Sequence, residues 1–164
     1  MTRTAHDSFT IERTYDAPRA MVFDAWSKPA LREKWFAGGG QWTVLIREQD
    51  FRVGGQERVR GQWENSTSDF RSVFHDIVPN ERIIFVYDMY VDDRMISVST
   101  GTVELFDAGS GTRMRYTEQG VFIDYDDKGS REHGTNFLLD RLGAFLDGRP
   151  FAAAGAHDSK LEQA

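Results

Sequence analysis

Residues 82–120 read RIIFVYDMYVDDRMISVSTGTVELFDAGSGTRMRYTEQG, and this stretch decides the fold. Apolar and polar side chains alternate over 82–91, again over 95–106 and again over 112–120. Asp92-Asp93 breaks the first two runs apart, and Ala108-Gly109-Ser110-Gly111 separates the second from the third. A period of two marks a strand with one buried face. Breaks this short join neighbouring strands as antiparallel hairpins.

The same pattern extends upstream. It predicts strands over 42–47, 56–64 and 70–78, punctuated by Gly54-Gly55, Asn65-Ser66-Thr67-Ser68 and Pro79-Asn80. A first strand over 8–16 alternates Phe9, Ile11, Arg13 and Tyr15 with polar neighbours. Between it and the meander lie two short helices. The first has Asp16 as its expected cap, Pro18 in its first turn, and Val22, Phe23 and Trp26 as its apolar face. The second starts at Pro29, runs to Lys34-Trp35-Phe36 and is stopped by Gly38-Gly39-Gly40.

Downstream, 121–130 reads as an acidic loop. Residues 131–148 then form an amphipathic helix, with Thr135, Leu139, Leu142 and Leu146 on one stripe, broadened by Leu138 and Phe145. The expected architecture is α+β: an antiparallel sheet of six or so strands packed on one long C-terminal helix. It forms a single domain over 8–149, with flexible tails over 1–7 and 150–164.

Composition narrows the function. The chain has 164 residues, 13% aromatic, a net charge of −6 and no cysteine. The acidic balance and scattered arginines argue against nucleic acid as a partner. Without cysteine there is no disulfide and no thiolate metal site. The histidines show no metal-ligand spacing, and the acids of 122–130 lack the calcium-loop pattern, so neither metal nor cofactor is expected. No apolar run approaches a membrane span and the first residues lack the apolar core of a signal peptide, so the expectation is a cytoplasmic protein with no membrane partner. A homodimer is compatible with the sequence.

Several segments together resemble a known family. These are RTYDAPRAMVFDAWSKPALREKWF (13–36), VGGQERV (53–59), HDIVPNERIIFVYDM (75–89), GTRMRYTEQG (111–120) and REHGTNFLLDRLGAFL (131–146). They are similar to the activator of heat-shock-protein ATPase homologue family, within the START-like, polyketide cyclase/dehydrase-related (SRPBCC) superfamily. The resemblance covers about 140 positions and implies a helix-grip (START/Bet v-like) fold, a curved antiparallel sheet wrapped round a long C-terminal helix. In two places the chain departs from the family pattern. Trp35-Phe36 is followed by Ala37 and glycines instead of Gly-Pro, and Gly134 is followed by Thr135 where relatives often carry an aromatic. The family name does not by itself make a chaperone a partner.

Strand parity groups the candidate site residues. Phe85, Tyr87 and Met89 share one face, Met114, Tyr116 and Glu118 another, and Ser97 and Ser99 a third with Val103 and Leu105. All three are assigned to the inside, because Arg113, Arg115 and Thr117 suit water better. With Phe122, Thr135 and, at the mouth, Trp35 and Phe36, they form the expected wall of a cavity for a small hydrophobic or aromatic molecule. Glu118 is the sharpest of them, since an inward carboxylate must be paired, hydrogen-bonded or protonated. It is a weak candidate for catalysis, as are His75 and His133; the competing reading is a salt bridge to Arg131. The leading expectation is a ligand-binding protein. Two alternatives stand beside it: an enzyme using acid–base chemistry on a cyclic or polyketide-like substrate, and a co-chaperone-like interaction module.

Overall fold

A computed structural model describes residues 2–37, 40–125, 127 and 129–148. Seven strands form one antiparallel sheet: β1 (Thr4–Tyr15), β2 (Thr43–Gln49), β3 (Gln56–Trp63), β4 (Ser66–Val78), β5 (Arg82–Val91), β6 (Arg94–Ala108) and β7 (Gly111–Ile123). Two short helices, α1 (Arg19–Ser27) and α2 (Pro29–Arg32), follow β1, and the long helix α3 (Ser130–Leu146) follows β7. The spatial order is β1-β7-β6-β5-β4-β3-β2, a meander whose last strand pairs with its first. The edges are therefore β1 and β2, and α1 and α2 lie on the connection between them.

Three bulges bend the sheet, at Val44/Ile46 in β2, at Phe74/Asp76 in β4 and, opposite Met89/Tyr90, at Ile96 in β6. A bulge adds a residue to one strand and sharpens the local twist. The bent sheet grips α3, whose Leu139 and Leu142 are buried in the core. Arg13 of β1 ties the helix flank down through Asn136 and Asp140, and the Tyr15 phenol donates to the Leu139 carbonyl. This is the helix-grip architecture.

Some expectations are corrected. Residues 4–7, assigned to a tail, belong to β1, because β7 continues to Ile123 and offers them partners from Gly120 onward. Residues 121–123 are accordingly strand, not loop. Asp16 does not cap α1: the capping position falls on Pro18, which has an extended backbone and no capping side chain. Leu146 is only partly buried, since the helix end passes the rim of the sheet. Gly38, Gly39 and the tail 150–164 lie outside the described residues.

Candidate functional site

A cavity lies between the concave face of the sheet and α3. The space open to the centre of a water-sized sphere is about 120 Å³. That is on the order of the ~150 Å³ at which an apolar cavity takes up a benzene-sized guest. The floor is built by inward residues of β3, β4, β5 and β7: Val59, Phe70, Phe85, Tyr87, Met89 and Tyr116. Thr135, Leu138 and Leu139 close it from the helix, Trp26 from α1, and Trp35 and Phe36 from just after α2. The lining is mostly apolar and aromatic, as small-molecule sites are.

Glu118 lies at one end and is 2% exposed. The Tyr87 phenol donates to both its oxygens at 2.9 Å, and the Tyr116 phenol donates to Oε1 at 2.7 Å. Arg131 Nη1 reaches Oε2 at 3.3 Å and also donates to the Tyr87 oxygen at 2.7 Å. Arg131 is delivered by the first turn of α3, where the Asp127 carboxylate accepts the Arg131 backbone N–H at 3.0 Å. An acid at a helix start satisfies free donors there and favours the helix dipole.

Burial pushes the Tyr87 phenol well above its usual range, and Glu118 adds to this against the opposing pull of Arg131. Tyr116 is raised for the same reasons, burial first. Both phenols therefore hold their protons tightly. The Arg131 guanidinium stays charged: the polarised phenol and carboxylate partners outweigh the cost of its burial.

At the α1–α2 side a second buried ion pair supports the wall. Arg32 Nε and Nη2 donate to the Glu57 carboxylate at 3.0 and 2.9 Å in a bidentate fork. The guanidinium lies 3.6 Å from the Phe36 ring centre and under 5 Å from those of Trp26 and Trp35. Rings over a cation offset part of its desolvation. Trp35 is a fixed anchor whose indole donates to the Ala25 carbonyl at 2.9 Å.

Of the residues expected at the site, Trp35, Phe36, Phe85, Tyr87, Met89, Tyr116, Glu118 and Thr135 line the cavity. Ser97, Ser99 and Phe122 face inward but do not reach it. The Arg131 side chain stands in between, donating to Ser97 at 2.8 Å and to Ser99 at 3.4 Å with the Phe122 ring 5.1 Å away. His75 and His133 are exposed and off the wall. His75 sits where the β4 bulge reverses the parity, and His133 lies on the outer side of α3. Sequence reasoning missed Trp26, Arg32, Trp42, Val59, Phe70 and Leu138. Parity along 56–64 and 70–78 points to Val59 and Phe70, whereas nothing local marks Arg32 or Trp42. Among the described residues no cluster of three or more His, Asp or Glu could hold a metal ion, and no helix is long and apolar enough to cross a membrane.

Comparison with known proteins fits this geometry. The family model described as Activator of Hsp90 ATPase homolog 1-like protein matches residues 16–147. A solved structure of an uncharacterised protein from Rhizobium leguminosarum is 40% identical, with a TM-score of 0.85 over 91% of this chain and 99% of that one. The Mll3558 protein of Rhizobium loti is also 40% identical, with a TM-score of 0.79 over 87% and 99% of the two chains. Protein CV1439 of Chromobacterium violaceum, at 22% identity and a TM-score of 0.72 over 85% and 96%, shares the fold. No curated protein matches the chain.

Proposed function

Starting from a chain that belongs to the Activator of Hsp90 ATPase homolog 1-like protein family, we propose that it is a binding protein for a compact hydrophobic or aromatic molecule, held between the sheet and α3. The cytoplasmic setting expected from the sequence is part of this reading. One observation carries it: the cavity wall is mostly aromatic and apolar, while its one carboxylate among the described residues is already engaged. Glu118 accepts from two phenols and a guanidinium. A base so occupied has little capacity left to take a proton from a substrate. Tyr87 and Tyr116, held above their usual range, are poor acids at neutral pH. The acid–base enzyme alternative therefore has less support, and the co-chaperone alternative rests on the family name alone. Tyr87, Met89, Tyr116, Trp35, Phe36 and Thr135 are the proposed contacts.

The test is binding of a neutral environment-sensitive dye, N-phenyl-1-naphthylamine, to the parent and to Thr135→Trp. Thr135 lies on the helix side of the cavity and is small, so an indole there fills the space. The parent should enhance the dye's fluorescence saturably and the variant should not. Equal binding by both proteins removes the cavity as the site.

A further inference from the structure

The polar atoms of the cavity wall are unequally satisfied, and the imbalance describes the ligand. Trp26 Nε1, Arg32 Nη1 and Trp42 Nε1 are buried, and none has a hydrogen-bond acceptor among the described residues. All three side chains line the cavity. All three atoms are donors, since neither indole nitrogen nor guanidinium accepts. A buried donor left unmet is costly, so three on one wall need an explanation.

On the acceptor side the charged groups of the wall are spent, leaving mainly hydroxyls such as that of the half-buried Ser68. The Glu118 oxygens take Tyr87, Tyr116 and Arg131. Thr135 uses its hydroxyl proton on the Arg131 carbonyl at 2.8 Å and keeps only half-buried acceptor capacity. Gln49 Oε1, a buried acceptor without a partner, belongs to a residue off the wall. Charge is balanced as well. Arg32 faces Glu57 and Arg131 faces Glu118, both as ion pairs. An anionic ligand would bring a buried charge with no free counter-ion.

We infer that the cavity takes a flat, uncharged aromatic molecule bearing carbonyl oxygens, aryl ketones and related carbonyl compounds being the class, with its oxygens accepting from the Trp26, Arg32 and Trp42 donors. This rests on the binding reading above and narrows it. An aromatic surface receives the flat body: Trp26 and Tyr116 stack on each other within 15° of parallel, with their centroids 6.3 Å apart, so the molecule lies against this pair and not between its rings. At the other side Trp42 lies over Gly61, where a Cβ would come within 2.8 Å of its ring. Gly61 thus lets the indole lie down on the sheet.

Three matched probes test this on the whole protein by calorimetric titration: acetophenone, ethylbenzene, which has the same carbon skeleton without the oxygen, and benzoate. Acetophenone should bind about tenfold tighter than either, one buried hydrogen bond or slightly more. It should also shift the indole N–H resonance of Trp26 or of Trp42, whichever its single oxygen accepts from, in nitrogen-15 spectra. At least one of Trp42→Phe and Trp26→Phe should weaken acetophenone about three- to tenfold more than it weakens ethylbenzene. Ethylbenzene binding as tightly as acetophenone overturns the inference, and dye binding by the same sample leaves the container reading standing. Benzoate binding tightest overturns the uncharged class. A Trp→Phe loss shared equally by acetophenone and ethylbenzene assigns the rings to packing and also overturns it. If neither the probes nor the dye binds, both readings fall together.

Discussion

The Arg131 guanidinium donates to the Tyr87 phenol oxygen at 2.7 Å, joining the first turn of α3 to the middle of β5. The same phenol passes its own proton toward Glu118 on β7. Helix and sheet are thus fastened through a chain of three buried groups at the point where the cavity ends. Removing either charge leaves the other buried without this counter-charge.

The Glu118–Arg131 pair should therefore behave as a unit. Glu118→Gln and Arg131→Met should each lose about 3 kcal/mol of stability. The double variant should lose much less than the sum, because it buries no unmatched charge. Urea denaturation of the four proteins gives the coupling energy. Strictly additive losses would show that the pair is not coupled.

Acid should expose a second cluster. Asp69 is 1% exposed and accepts from Arg58, Arg60 and Arg71. Burial alone would raise its pKa, but the three guanidinium hydrogen bonds outweigh burial and hold the carboxyl at about 2, below its ordinary 3.8. A depressed carboxylate stabilises the fold above its unfolded pKa, and that contribution disappears as pH falls through the folded value. Between about pH 4 and pH 2 the parent should lose about 2 kcal/mol that Asp69→Asn has already forfeited at neutral pH. Urea midpoints at pH 5 and pH 2 compare the two; parallel losses would dismiss Asp69 as the titrating group.

Gly101 should not tolerate a side chain. A Cβ there would sit 2.4 Å from the Phe85 ring, its cross-strand partner on β5. Phe85 is itself held between Tyr87 and Tyr116. Gly101→Ala should cost about 1–3 kcal/mol by overpacking and drive the Phe85 ring into the cavity, weakening dye binding. A thermal melt and a dye titration measure both effects. An unchanged melt would mean that the ring has room to yield.

Leu142 is fully buried beneath the sheet. Leu142→Asp should abolish cooperative melting, since it buries an unpaired charge, and Leu142→Ala should cost about 2–5 kcal/mol. A soluble aspartate variant with the parent's melting temperature would contradict the packing of α3.

Legibility followed the range of the interaction. Period two alone put Tyr87, Met89, Tyr116 and Glu118 on inner faces, because a strand's pleat is local, and the meander followed from turns of two to four residues. The helix stripe located Leu139 and Leu142 in the same way. What was lost depends on how distant segments meet. The Arg32–Glu57 fork joins α2 to β3, and no spacing announces it. Parity placed Ser97 and Ser99 inward, as found, but it could not show that the long Arg131 side chain would intervene between them and the cavity. The extension of β1 back to Thr4 was hidden because it depends on the length of β7.

The pairing of β1 with β7 also governs the order in which the protein can assemble. Residues 16–110 separate the two strands, so on a ribosome adding roughly 5–20 residues per second β1 waits about 5–20 s for its neighbour. During that time the β3-β4-β5 hairpins can form from short loops, whereas the seam that completes the sheet is a long-range closure and hence slow. Pulse-labelled hydrogen exchange should find amides of β4 and β5 protected before those of β1. Until the seam shuts, β1 is open to strangers along both sides and β7 along one, and the nascent chain is most prone to aggregate in that interval.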